Sequence, residues 1–134
     1  MKSTTGALTI GIDIGTTSTI GIVIDTAGRV LALASRPVDL SSPHPGWAEE
    51  DPLQWWANLR AIVPDLLRDA GIGAGAVAAI GVTGMLPAVV LLDQAGVLLR
   101  PSIQQSDGRT GAEVETLARE VDAASFLART GQGI

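Results

Sequence analysis

Apolar residues change their spacing along this chain, and the changes mark out its elements. The runs "LTIGIDI" (8–14), "TSTIGIVID" (17–25) and "RVLALASRPVD" (29–39) are rich in Ile, Val, Leu and Thr, the residue types that fill strands. Only a short turn at Ala27 and Gly28 separates the second from the third, so the three predict a β-meander. "SSPHPG" (41–46) is a loop, because its prolines cannot donate to a ladder. From residue 49 the period lengthens. In "EEDPLQWWANLRAIVPDLLRDAG" (49–71) Trp55, Trp56, Leu59, Ile62, Val63, Leu66 and Leu67 form one stripe of a helix. Asp51 is placed to cap it, Pro52 suits its first position, Gln54 follows three residues after the cap, and Gly71 ends it. Pro64 removes one backbone hydrogen bond and is expected to kink the helix on its outer side.

No residue from Ala70 to Leu92 is charged, a length that would cross a bilayer. Gly71, Gly73, Gly75, Gly81, Gly84 and Pro87 argue against a membrane helix, as do the flanking Asp69 and Asp93, with no basic or aromatic anchors. The pattern instead predicts a Gly-rich turn, a strand "AVAAIGV" (76–82), a break "TGMLP" (83–87) and a strand "AVVLLD" (88–93). Both strands are apolar enough to be covered on two faces. A turn "DQAG" (93–96), a short strand "VLLRPSIQ" (97–104), a polar loop "QSDGRTG" (105–111) and one helix over "RTGAEVETLAREVDAASFLA" (109–128) follow.

The chain has 134 residues, 46% of them apolar, enough for one domain and one core. A net charge of −5 leaves no basic face with which to grip nucleic acid. Cysteine is absent, which removes disulfides and thiolate metal sites and fits a reducing compartment. No basic segment followed by an apolar run opens the chain. A cytoplasmic protein with neither membrane nor nucleic-acid partners is expected.

Two glycine-rich stretches could carry chemistry. "GIGAGA" (71–76) follows a helix and precedes a strand, the reverse of a dinucleotide loop. "IDIGTTS" (12–18) joins two strands: Gly15 permits a tight turn, and backbone N–H groups with the hydroxyls of Thr16, Thr17 and Ser18 could face a polyphosphate. Asp13 lies between Ile12 and Ile14. A carboxylate buried there costs several kcal/mol unless paired, so it is either hydrogen-bonded or holds a cation such as magnesium. On residue chemistry alone, phosphate binding and a plain turn both remain open.

The Asp-x-Gly-Thr-Thr turn after a first strand resembles the first phosphate motif of the sugar-kinase, actin and heat-shock-chaperone ATPase superfamily. Three further stretches, "SSPHPGWAEEDPLQWW", "IGVTGMLPAVVLLDQAGVLLRPSI" and "SDGRT", are similar in order and character to the FGGY carbohydrate kinases, xylulokinases in particular. The resemblance runs from Leu8 to Ile134. It implies an α/β, ribonuclease-H-like subdomain of the actin-like ATPase superfamily, a mixed sheet begun by the meander with flanking helices. It implies ATP and magnesium as cofactors and a small sugar or polyol as partner, with direct in-line transfer of the γ-phosphoryl group. Asp13 would orient magnesium and the phosphoryl group, Gly15, Thr16, Thr17 and Ser18 would hold the phosphates, and Leu86, Pro87, Gln105, Asp107 and Arg109 would stand on the sugar side. Residues 1–134 would be the N-terminal part of the kinase domain, inactive alone, the catalytic base lying beyond Ile134. Surfaces that meet the remainder would favour self-association.

This chain departs from the family pattern at two places. Where xylulokinases usually read Gly-Gln-Met-His-Gly, it has Gly84, Met85, Leu86, Pro87 and Ala88; where they read Trp-Asn-Asp-Gly-Arg, it has Gln105, Ser106, Asp107, Gly108 and Arg109. Loss of a histidine and of an aromatic wall should change which hydroxyls fit, so xylulose is not the expected best acceptor. Asp107 could instead cap the following helix and Arg109 lie on its surface. His44, between two prolines, reads as a surface residue, and Trp47, Trp55 and Trp56 as packing residues. The competing class is a non-enzymatic nucleotide-binding module or a chaperone or actin-like ATPase lobe sharing only "IDIGTTS"; "HPGWAEEDPLQWW" and "SDGRT" set it apart.

Overall fold

The computed structural model of the chain describes residues 7–134. Leu8–Ile14 forms β1, Ser18–Ile24 β2 and Val30–Pro37 β3. They make the expected meander, β1 antiparallel to β2 and β2 antiparallel to β3. Asp25 closes the second turn by accepting hydrogen bonds from the amides of Ala27 and Arg29, at 2.9 and 3.0 Å, and Gly28 supplies the left-handed φ of +78° there. After the two-residue strand β4 (Glu49–Glu50) comes α1, Pro52–Ala70. The Asp51 carboxylate accepts from the Leu53 amide at 2.9 Å, and Gly71 ends α1 at φ +65°. α1 runs on through Pro64, which is exposed, so the missing N–H faces solvent. A 3-10 turn at Ala74–Ala76 leads into β5, Val77–Gly84, which lies parallel to β1. The sheet order is β3-β2-β1-β5.

Strand alternation decides which face is core. Leu8, Ile10 and Ile12 of β1, Val23 of β2, and Ala32 and Ala34 of β3 share one face, where Ile62 and Leu66 of α1 cover them. Each fully buried aliphatic side chain contributes roughly 1.5–3 kcal/mol, and the helix can come this close because β2 carries no side chain at Gly21. A Cβ there would stand 2.5 Å from Ile62 Cγ2 and 2.8 Å from Leu66 Cδ1.

Several expectations are corrected. β5 is not covered on two faces: it is the sheet edge, with Ile80 and Val82 60% and 63% exposed. Residues 88–93 form no strand, only a loose hairpin with isolated bridges Leu92–Leu98 and Val89–Ile103. Pro101 on the returning arm has no N–H to extend the ladder. Of the expected strand at 97–104 only β6, Ser102–Ile103, is regular, and it pairs with β4. The single C-terminal helix is two, α2 (Gly111–Glu120) and α3 (Ala123–Thr130), because Asp122 caps a new start through the Ser125 amide at 2.8 Å. Trp56 is 59% exposed and is no packing residue. No helix among the described residues is long and apolar enough to cross a membrane.

The contact at Gly21 predicts that Gly21→Ala is destabilising by about 1–3 kcal/mol, since overpacking forces rigid neighbours apart. Urea denaturation followed by circular dichroism checks this; a midpoint equal to wild type would mean that α1 moves away at no cost.

Candidate active site

Parallel pairing of β1 and β5 sets Asp13 beside Thr83 and Ile14 beside Gly84. The turn after β1 and the break after β5 therefore open at the same edge of the sheet, and the Met85 amide donates to the Ile14 carbonyl at 2.9 Å. Carboxyl ends of parallel strands are where open α/β sheets bind ligands. The Gly15 amide closes the first turn on the Ser18 carbonyl at 3.0 Å. A Cβ on Gly15 would approach that carbonyl to 3.1 Å, and one on Gly84 would approach the Ile14 carbonyl to 3.3 Å. At both places a side chain would require the neighbouring backbone to give by a few tenths of an ångström. The Thr17 carbonyl accepts from Val38 at 3.0 Å, which fixes the turn to the end of β3. Thr17 is exposed, Thr16 and Ser18 are half-buried, and Thr19 turns inward, fully buried.

Asp13 is exposed, not buried. The buried positions of β1 are the alternate ones, so Asp13 falls on the face away from α1, at the end of an apolar depression of about 440 Å³ lined by Gly11, Ile20, Ile22, Gly81 and Thr83. An exposed carboxylate next to a tight turn needs no internal partner and is free for a hydrated cation. Among the described residues no group of three or more His, Cys, Asp or Glu side chains could hold a metal. The single carboxylate of Asp13 would fit a magnesium ion that arrives with a nucleotide, since such ions are bound through one or two carboxylates and keep several waters.

The hairpin brings the other two segments together. Val89 and Ile103 exchange both backbone hydrogen bonds, at 2.9 and 3.0 Å. Pro87 stands two residues before that antiparallel bridge and Gln105 two residues after it, so both leave it at the same end. Leu86, Pro87, Gln105 and Ser106 are exposed, so neither Leu86 nor Pro87 packs into the core.

Asp107 and Arg109 are engaged chiefly with each other, and Arg109 Nη1 is buried without a partner. Asp107 Oδ1 accepts from the Arg109 amide and Nε at 2.9 and 2.7 Å, and Oδ2 accepts from Arg109 Nη2 and the Ala48 amide at 2.6 and 2.7 Å. The Arg109 guanidinium lies 3.7 Å over the ring of Trp47 and donates to Glu49 Oε1 at 2.8 Å. The Asp107 side chain is 2% exposed, and Arg109 holds its carboxyl well below the usual carboxylate range. Neither alternative offered by the sequence applies: Thr110, not Asp107, precedes α2 as its cap, and Arg109 is not a surface residue. Nothing in the sequence singles out Glu49, and Trp47 reads there as a packing residue; their pairing with "SDGR" is hidden because about sixty positions separate them. His44 is an exposed loop residue whose ring meets Trp47 edge-on, centroids 4.6 Å apart.

On the other face of the β4–β6 ribbon Glu50 is 1% exposed. It accepts from Trp55 Nε1 at 2.9 Å through Oε2, and Oε1 has no partner. Burial pushes its carboxyl pKa up.

A mixed sheet with a glycine-closed hydroxyl turn at its open end is the architecture of the actin-like ATPase fold. Within that class the profile of the FGGY family of carbohydrate kinases, N-terminal domain, matches residues 8–134, and the chain belongs to this family. A solved xylulose kinase from Rhodospirillum rubrum is similar with 61% identity and a TM-score of 0.89, over 94% of this chain and 26% of that one. A glycerol kinase from Methylorubrum extorquens (strain PA1) is 41% identical over 121 residues, 90% of this chain and 24% of the relative. A xylulose kinase from Klebsiella pneumoniae is 35% identical over 114 residues, 85% of this chain and 23% of that protein. The chain spans about a quarter of the length of the relatives it matches.

The state of Glu50 gives a signed pH prediction. Its folded pKa is raised, so its ionisation opposes folding; the penalty is absent below the unfolded value of about 4.3 and grows as pH rises through the folded value. Glu50→Gln keeps the acceptor for Trp55 and removes the charge, so the variant should melt above wild type at pH 7.5, with the difference shrinking at pH 4. Paired thermal melts at the two pH values test it; an equal or lower Tm at pH 7.5 refutes it.

Proposed function

We propose that the chain is the N-terminal domain of an ATP-dependent kinase that phosphorylates a hydroxyl of a sugar or polyol. The observation that carries this reading is the shared open end of β1 and β5, with exposed Asp13 beside the Gly15-closed turn. Backbone N–H groups near Gly15 and the hydroxyls of Thr16, Thr17 and Ser18 bind nucleotide phosphates, and Asp13 holds the hydrated magnesium that accompanies them. Magnesium, when bound, neutralises charge on the phosphate oxygens. Leu86, Pro87 and Gln105 line the acceptor side, while Asp107 and Arg109 hold the acceptor loop in place. None of the described residues near this edge is placed as a base for the acceptor hydroxyl, which a further part of the kinase supplies. The uncovered apolar edge of β5, a template for a further strand, favours self-association of the 134-residue chain.

On the acceptor, two observations pull apart. Pro87 and Gln105 remove groups with which xylulokinases of the usual pattern meet their sugar, whereas the relative with 61% identity is a xylulose kinase. We favour an acceptor other than xylulose, because rejection follows from the groups that line the site.

In the full-length protein Asp13→Ala should lower turnover at least about a hundredfold, the usual cost of losing one transition-state electrostatic contact. Its Tm should stay near wild type, since Asp13 is exposed and packs no core. A coupled ATP-consumption assay and a thermal melt read both. Wild-type turnover in the variant returns Asp13 to a turn residue, whereas a full-length wild type with no acceptor-dependent turnover favours the non-enzymatic nucleotide-binding reading. The same assay on pentuloses, hexuloses and four- or five-carbon polyols should rank another acceptor above D-xylulose; a clear preference for xylulose overturns that choice. With the 134-residue chain alone no acceptor should be phosphorylated, and sustained turnover would mean that the base lies within it.

A further inference from the structure

Resting on the kinase reading, we infer that Glu49 and Trp47 are positioning residues: with Arg100 and Arg109 they form a mount that places both acceptor-side segments while touching no acceptor atom. A single oxygen, Glu49 Oε1, accepts from Arg109 Nη2 at 2.8 Å and also from Arg100 Nη2. Arg109 belongs to the loop that carries Gln105, and Arg100 to the returning arm of the hairpin that begins just after Pro87. One carboxylate oxygen therefore ties together the two segments proposed to meet the acceptor.

The backbone is secured at the same place. The Gln104 amide donates to the Ala48 carbonyl at 3.0 Å, the Gly108 amide to the Gly46 carbonyl at 2.7 Å, and the Ala48 amide to Asp107 Oδ2 at 2.7 Å. Gly46 presents its carbonyl from a left-handed φ of +79°. The loop is thus pinned at Gln104 and Gly108, on either side of exposed Gln105 and Ser106. Trp47 completes the mount from outside: the Arg109 guanidinium lies 3.7 Å and that of Arg100 5.9 Å from its ring, a geometry that favours cations over an aromatic face. The arginines pull Glu49 below its ordinary pKa, chiefly through the Arg109 hydrogen bond, so the mount stays charged at neutral pH.

A site is only as well defined as the groups behind it. Losing the mount should therefore blur the acceptor side and leave the phosphate turn, held by β1, β2 and the end of β3, as it was. Glu49→Gln keeps the shape but turns an amide N–H₂ or a neutral oxygen toward two guanidinium groups. Arg109→Lys keeps the charge but cannot reach Asp107 and Glu49 as a planar fork.

The test is steady-state kinetics of both variants in the full-length protein on its best acceptor. The expected result is an acceptor KM raised about tenfold, in line with the cost of small misplacements, with the KM for ATP unchanged. Trp47→Phe, which keeps an aromatic face, should lie nearer wild type than Trp47→Leu. Hydrogen exchange on the same variants should show faster exchange at amides 104–109 and unchanged exchange in β1. An unchanged acceptor KM, or both KM values rising together, overturns the proposal. So does unfolding of both Glu49→Gln and Arg109→Lys, which would make the cluster a stability element only. If wild type phosphorylates no acceptor, the kinase reading fails, and the exchange pattern alone decides whether the mount exists.

Discussion

The packing of Ile62 and Leu66 over Gly21 is the contact on which the other features rest. It seats α1 on the meander at a distance that a side chain on β2 would forbid, and that seat fixes where the chain emerges after Gly71. β5 then lands parallel to β1 and not beside β3. Parallel pairing at that position brings the carboxyl ends of both strands to one edge. The glycine-closed turn after β1 and the break at residues 83–87 meet only for that reason, since almost seventy positions of chain separate them.

A second constraint works at the loop of residues 104–109. A loop that carries exposed Gln105 and Ser106 has no core of its own, and the two-residue ribbon of β4 and β6 is too short to hold it. Charge does that work instead. Asp107 accepts from Arg109 with both oxygens, Glu49 joins Arg109 to Arg100, and Trp47 lies against the guanidinium, although Arg109 Nη1 and Arg100 Nε keep no partner. Such a network is expensive to desolvate and is stable only when nearly every oxygen has a donor, a condition that Asp107 meets in full. Both oxygens of Asp107 are thereby taken up inside the cluster, while Arg109 keeps one nitrogen, Nη1, without a partner.

Local rules in the sequence were sufficient wherever neighbours in the chain decide the outcome. The meander followed from β-rich runs and the turn at Gly28. The bounds of α1 followed from Asp51, Pro52 and Gly71, because caps are set by residues within one turn of the helix end. The break at residues 83–87 and the glycine-closed turn were equally legible. Asp122 was overlooked as a second cap, although the signal lay in the sequence, and one expected helix became two.

What the sequence by itself determined is therefore the meander, the bounds of α1, the glycine-closed turn after β1 and, through the order of four motifs, the family. Tertiary structure alone decided the exposure of Asp13, the edge position of β5 and the partners of Asp107, Arg109 and Glu49. An uncharged apolar run looks the same in the centre of a sheet and at its edge, because burial depends on what lies beside the strand and not on the strand. An aspartate in an alternating strand points to core or solvent according to the face that α1 selects. Ion pairs between residues sixty positions apart leave no periodicity to read, since they exist only once the fold has brought the two segments within reach of a hydrogen bond.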